Sequence, residues 1–207
     1  MKQELEQISR QQKESWNKFS SGWKKWDNLF MDFLKPMGIE ISNQLDPKET
    51  ETILDVAAGT GEPGLTIASK LNGGKVVITD LAEHMLEIAR ENAEQRGIRN
   101  IEIQACDVCE LPFEDNTFDA ISCRFGFMFF PDMSLAAKEM TRVLKPGGFA
   151  IIQVPMLPGL ERTDEDATIT DPVERERRFG QHDHFRIYGL DLKDRLASAG
   201  FHVEVVP

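Results

Sequence analysis

Along the first part of the chain Trp16, Phe19, Trp23, Trp26, Phe30, Phe33 and Leu34 recur at steps of three, four and seven. That spacing gathers side chains along one side of an α-helix, so residues 1–46 are expected to be helical. Such a stripe either docks on the body of the domain or roofs a binding cleft. From Glu51 the pattern changes to short β-rich runs: Thr52–Ala57, Lys75–Asp80, Ile101–Ala105, Phe118–Cys123 and Phe149–Val154. Amphipathic stretches lie between them. The first is Pro63–Leu71. The second carries Leu81, Met85, Ile88 and Ala89 on one face and stops near Gly97, and the third is Ser134–Leu144. A last helix, Leu190–Ala199, and a last strand, Phe201–Val206, close the chain. Strands alternating with helices imply parallel pairing. The expected fold is therefore α/β, a doubly wound, mostly parallel sheet with helices on both faces. Residues 1–46 form an N-terminal helical cap and residues 47–207 the main domain, with the charged stretch 155–171 as a mobile loop.

Charge narrows the partners. Lys and Arg number 24 against 35 Asp and Glu, a formal net charge of −11 over 207 residues. Nucleic-acid binders need a basic footprint, so DNA and RNA are not expected as partners. The longest apolar runs are strand-length, far below the ~20 residues of a membrane span. Three cysteines and a polar, charged opening point to a reducing cytoplasm.

Chemistry concentrates at Asp55-Val-Ala-Ala-Gly-Thr-Gly-Glu-Pro-Gly64, which closes the first strand. Gly59 and Gly61 let the backbone turn sharply and approach a ligand closely. In a doubly wound sheet, ligands sit outside the carboxyl ends of the strands. Asp80 ends the second strand, 21 residues after Gly59, where a carboxylate accepts hydrogen bonds from ribose hydroxyls. Gly59 to Gly64 also satisfies G-x-G-x-x-G, so a nicotinamide dinucleotide and S-adenosylmethionine (SAM) compete as ligands. Three features favour SAM. Asp55 suits a cationic ligand rather than a pyrophosphate. Asp107 and Val108 after the third strand offer a carboxylate and a backbone N–H to an adenine. Leu144-Lys-Pro-Gly-Gly148 makes a tight turn into the fifth strand.

These elements, together with Leu111-Pro-Phe113 and Asn116-Thr-Phe-Asp119, resemble the class I, Rossmann-like SAM-dependent methyltransferases. The branch that includes the ubiquinone and menaquinone C-methyltransferases is the most similar, over about residues 50–155. The resemblance implies transfer of a methyl group from SAM to a small-molecule acceptor. It implies that Asp55, Ala57, Gly59 and Gly61 wrap the methionine half of SAM and that Asp80 holds the ribose. Leu81 and Met85 would surround the adenine, Asp107 and Val108 its edge, and Arg124 the rim near the methionine end. Ala57 stands where many members have glycine. The family also has two strands after the helix that follows strand five, whereas only Phe201–Val206 is visible here, so the final strand is expected to be missing or replaced. Non-catalytic SAM binding is the alternative from another class, with an NAD-dependent oxidoreductase behind it.

Proton-accepting groups cluster in Gln181-His-Asp-His-Phe-Arg186, with Tyr188 two residues on. His184 or His182 is the expected general base or substrate hydrogen-bond partner. Cys106-x-x-Cys109 and His182-x-His184 lack matched four-ligand spacing, so no metal is expected.

Overall fold

The computed structural model describes residues 2–206. Five parallel strands form the main sheet: β1 (Thr52–Val56), β2 (Lys75–Asp80), β3 (Ile101–Ala105), β4 (Phe118–Arg124) and β5 (Leu144–Gln153), in the order β3-β2-β1-β4-β5. Chain order reverses between β1 and β4, so β1 is central and a crevice opens beyond the carboxyl ends of that pair. Alternation along each strand sorts side chains between two cores. Leu54, Val56, Val77, Ile121 and Cys123 face one cluster with α4 (Met133–Val143) and α6 (Leu192–Ser198). Their neighbours Ile53, Val76, Ile78 and Ala120 face the other, with α2 (Gly64–Ala68) and α3 (Glu83–Gln95). A strand buried on both faces must be nearly all apolar, which is why Asp55 inside β1 stands out.

The cap is one helix, α1 (Lys2–Leu45), which continues through Pro36. Its aromatic stripe divides. At 100° per residue, positions 16, 23 and 34 coincide to within about 20°, whereas 19, 26 and 33 lie roughly 60–100° away. The first set faces the crevice; Phe19, Trp26 and Phe33 stand 50%, 50% and 73% exposed. Of the two readings of the stripe, roofing a cleft holds for this one edge of it. Both ends of α1 are anchored: Ile8 packs with Phe179 and Phe185, and Ile41 and Leu45 are buried.

Several boundaries differ from expectation. α2 is confined to Gly64–Ala68, and Asn100 caps its end by donating to the Ala68 carbonyl at 2.9 Å. The Leu144–Gly148 turn lies within β5 as an irregularity, where the pairing jumps from Phe118–Leu144 to Ala120–Phe149. The Phe201–Val206 strand does not form. An alternating run becomes a strand only beside an edge that pairs with it, and residues 201–206 carry no ladder, although Phe201 and Val203 pack on the core. The 155–171 segment is tied down rather than loose. Within it β6 (Asp164–Glu165) pairs antiparallel with β7 (Arg186–Ile187), and Arg178 of α5 (Pro172–Phe179) holds Asp164 and Asp166.

Packing at α2 gives a first test. A Cβ on Gly64 would lie 2.6 Å from Asp55 Oδ2 and 3.1 Å from its Cβ. Overpacking of this kind costs about 1–3 kcal/mol, so Gly64→Ala is expected to lower the urea midpoint with an unchanged m-value. An unaltered midpoint would show that this junction is not close-packed.

Candidate functional site

A cavity of about 1050 Å³, counting its open mouth, lies where the fold predicts it. That is at the top of the ~300–1,000 Å³ range of small-molecule sites. Its floor is the turn after β1, which passes Ala57, Ala58, Gly59 and Thr60. Gly59 takes φ +57°, the left-handed region that glycine enters at little cost. Ala57 sits there too, at φ +53°, which is strained for a residue with a Cβ. Its methyl is matched across the crevice by Gly126, whose own Cβ would lie 2.7 Å from that of Ala57.

Asp80 ties the floor to β2. Its Oδ2 accepts from Gly59 N–H and its Oδ1 from Ala82 N–H, both at 2.9 Å. Burial raises its pKa, and the N–H groups of Ala82, Gly59 and Leu81 oppose the rise. Each oxygen keeps a lone pair for a ligand. Asp107 is held likewise: Oδ1 accepts from Cys109 N–H at 2.9 Å, and Oδ2 accepts from the Ser9 hydroxyl of α1 at 2.6 Å. With Asp80, Asp107 and Glu62 against Arg124, the cavity wall is predominantly negative.

The sequence-predicted residues separate cleanly in space. Ala57, Gly59, Asp80, Leu81, Met85, Asp107, Val108 and Arg124 all line the cavity. Asp55 and Gly61 lie behind it. Asp55 is fully buried; its Oδ2 accepts from Gly64 N–H at 2.8 Å and its Oδ1 from Ser122 Oγ–H at 2.6 Å. A Cβ on Gly61 would sit 2.9 Å from Leu65 Cδ1 and 3.1 Å from Ala89 Cβ, so this glycine serves helix packing. His182 is exposed, and His184 is buried behind Phe129, their rings 5.4 Å apart. Arg124 is largely buried, which lowers its pKa, while Asp55, Glu62 and Asp27 act in the opposite direction. Burial first, then the charge of Asp107, pushes the Cys106 and Cys109 thiols up to about 12. Neither is a thiolate near neutral pH.

The roof is the part of the α1 stripe that the hydrophobic pattern offered for it, since Trp16, Trp23 and Leu34 line the cavity; Ser9, Gln12 and Met31 of α1 line it too and lay outside that pattern. α1 is fastened across the crevice by polar contacts to α3. Lys13 pairs with Glu83 at 2.5 Å, Asn17 Oδ1 accepts from His84 N–H at 3.0 Å, and Lys24 pairs with Glu91 at 2.6 Å. Asn17 thereby caps the N-terminus of α3 from another element.

The far wall is the turn after β4: Phe125, at φ +63°, with Gly126, Phe129, Phe130 and Pro131. Two residues of the predicted proton-accepting segment act as its clamp. Arg186 Nη1 donates to the carbonyls of Phe130 at 2.7 Å and Phe127 at 3.1 Å, and Tyr188 Oη donates to that of Phe127 at 2.7 Å. Both are buried, so they act through the loop rather than on a ligand.

The comparisons with known proteins agree with this geometry. Residues 53–148 match the family model described as a methyltransferase domain. That match runs from β1 to the turn within β5. A demethylmenaquinone methyltransferase of Bacillus cereus is 40% identical to this chain over 108 residues, 52% of this chain and 46% of that protein. The match thus spans about half the length of such curated relatives. A putative methyltransferase of Bacillus halodurans superposes with a TM-score of 0.64 at 29% identity, covering 81% of this chain and 70% of the other. A putative S-adenosyl-L-methionine-dependent methyltransferase of Methanococcus maripaludis gives 0.60 at 27% identity, covering 66% and 62%. Among the described residues no helix is long and apolar enough to cross a membrane.

Asp55 gives the domain a pH signature. Burial raises its pKa from 3.8 to about 7, against the hydrogen bonds from Ser122 and Gly64 and the charge of Arg124. The folded state therefore holds a proton that the unfolded chain has lost, and stability falls as pH rises through that interval. The wild type is expected to lose on the order of 1 kcal/mol per pH unit between about pH 4 and 7 relative to Asp55→Asn, as read by urea unfolding across pH. Parallel pH profiles for the two proteins would contradict the assignment.

Proposed function

We propose that the chain is a SAM-dependent methyltransferase acting on a small molecule. The observation that carries this reading is the cavity beyond β1 and β4, with a glycine floor, Asp80 at the end of β2 and a negative wall. SAM carries positive charge at its sulfonium and ammonium, which this lining attracts and which a pyrophosphate would not share. The floor and walls fit such a ligand. Gly59 leaves room for close approach, Asp80 has free acceptor positions for the ribose hydroxyls, and Asp107 with Val108 lies where an adenine edge would meet them. Ala57 contributes to the floor and Leu81 with Met85 to the adenine surroundings. Arg124 at the rim would pair with the cofactor carboxylate. Asp55 and Gly61 act one layer deeper, fixing the turn that makes the seat.

When bound, SAM supplies an electrophilic methyl group. The chain's part is to align the acceptor and keep water out. The α1 roof and the Phe125–Pro131 wall do both, enclosing the cleft with aromatic surface. His184 and His182 are proposed as the groups that take the acceptor's proton; neither lines the cavity, so His184 would reach an acceptor as the Phe129 ring in front of it turns aside. His184 has the better placement, beside Phe129, and burial lowers its pKa so that the neutral imidazole prevails near pH 7. A relative that acts on demethylmenaquinone and the absence of a basic stripe favour a small molecule over nucleic acid. The acidic, cysteine-poor chain supports a cytoplasmic setting.

Two measurements test the proposal. Asp80→Ala removes charge-assisted hydrogen bonds worth about 1.5–3 kcal/mol, so its Kd for S-adenosylhomocysteine is expected to rise about 10- to 150-fold by calorimetry. NAD should show no binding; tight NAD binding, or an unmoved Kd in Asp80→Ala, would refute the cofactor assignment. The double variant His182→Ala/His184→Ala is expected to lose roughly 10²-fold or more in kcat at saturating SAM. Full turnover in that variant would remove both histidines from the mechanism.

A further inference from the structure

Buried polar atoms in folded proteins are almost always hydrogen-bonded, because an unmet donor or acceptor gives up water without replacement. Gln12 breaks that rule inside the cleft. It is 6% exposed, stands in the cavity wall, and its Oε1 has no partner. The other amide atom is committed: Nε2 donates to the Asp183 carbonyl at 3.3 Å. This bond sets the orientation of the carboxamide, since the flipped form would put two oxygens against each other. The open atom is therefore an acceptor, and whatever satisfies it must donate.

The surroundings say what else that ligand presents. Trp16, one helical turn on from Gln12, meets Phe129 edge to face with ring centres 5.2 Å apart, and both rings line the cavity. Phe129 in turn meets His184, itself buried with an unpartnered Nε2. The carboxylates placed for the cofactor, Asp80 and Asp107, project from the strand ends, whereas Gln12 belongs to the α1 roof. A flat apolar body fits against the cavity side of these rings, and one hydrogen-bond donor on it completes Gln12.

We propose that Gln12 is a specificity-determining residue for the methyl acceptor, its Oε1 receiving an O–H or N–H from a flat apolar molecule held against Trp16 and Phe129. This rests on the methyltransferase reading of the cleft. A site built around such a bond discriminates strongly against an analogue lacking the donor, because the protein's own acceptor is then left buried and unpaired.

Calorimetry with 2-naphthol and 2-methoxynaphthalene, which differ in the O–H, tests the proposal with S-adenosylhomocysteine present and absent. The wild type should bind 2-naphthol at least tenfold more tightly. In Gln12→Leu the two probes should bind within about threefold of each other, with the Kd for S-adenosylhomocysteine unchanged. Gln12→Glu, which keeps an acceptor, should retain the preference. Equal binding of the probes by the wild type overturns the proposal, and that result needs no variant to fold. A preference that survives in Gln12→Leu overturns it as well. So does a tenfold loss of S-adenosylhomocysteine affinity in Gln12→Leu, which would give Gln12 to the cofactor. Failure of the wild type to bind S-adenosylhomocysteine at all would instead refute the methyltransferase reading, and the probe titrations without it would still report on Gln12.

Discussion

A single buried carboxyl group holds the site together. Asp55 lies inside a strand that is apolar on both faces, and its two oxygens bridge the N-terminus of α2 to Ser122 of β4. β1 and β4 are the strands between which chain order reverses, so this bridge sets the width and depth of the crevice. Burying a carboxyl there is unfavourable unless its oxygens are satisfied. Burial raises its pKa to about 7 even against the hydrogen bonds from Ser122 and Gly64. The glycine floor, the placement of Asp80 and the facing turn at Phe125 all depend on the spacing it maintains.

Around that core the cavity is assembled from elements far apart in the chain. The sheet supplies carboxylates, the turn after β4 supplies aromatic rings, and α1 closes the top. The C-terminal segment makes no direct contribution to the wall. Arg186 and Tyr188 reach the carbonyls of the aromatic turn from behind, and Phe179 and Phe185 hold the start of α1 through Ile8. The cavity is thus built from residues that line it and residues that hold those in place.

Much of the sheet was legible because burial on two faces leaves a plain signature: Ile53 and Leu54, or Val76 and Val77, are apolar at consecutive positions. The glycine turn and Asp80 were legible because close backbone approach and a strand-end carboxylate demand particular residue types. The roof was harder. Ser9, Gln12 and Asn17 are ordinary polar residues on a long helix, and nothing local distinguishes a solvated glutamine from a buried one. Phe201–Val206 misled for the opposite reason, since alternation signals the capacity to pair without showing that an edge is available. Asp55 and Gly61 had the right residue types for ligand contact, yet tertiary packing uses them one layer deeper.

On the function proposed above, the crevice between β1 and β4 seats a sulfonium nucleoside on the side of the strand-end carboxylates, beneath α1. A crystal structure of the complex with S-adenosylhomocysteine tests this most directly. The expected complex has ribose hydroxyls within hydrogen-bonding distance of Asp80, adenine beside Asp107 and Val108, and Asp55 still bound to Gly64 and Ser122 with no ligand contact. A nucleoside found elsewhere, or one whose ribose turns away from Asp80, would contradict it.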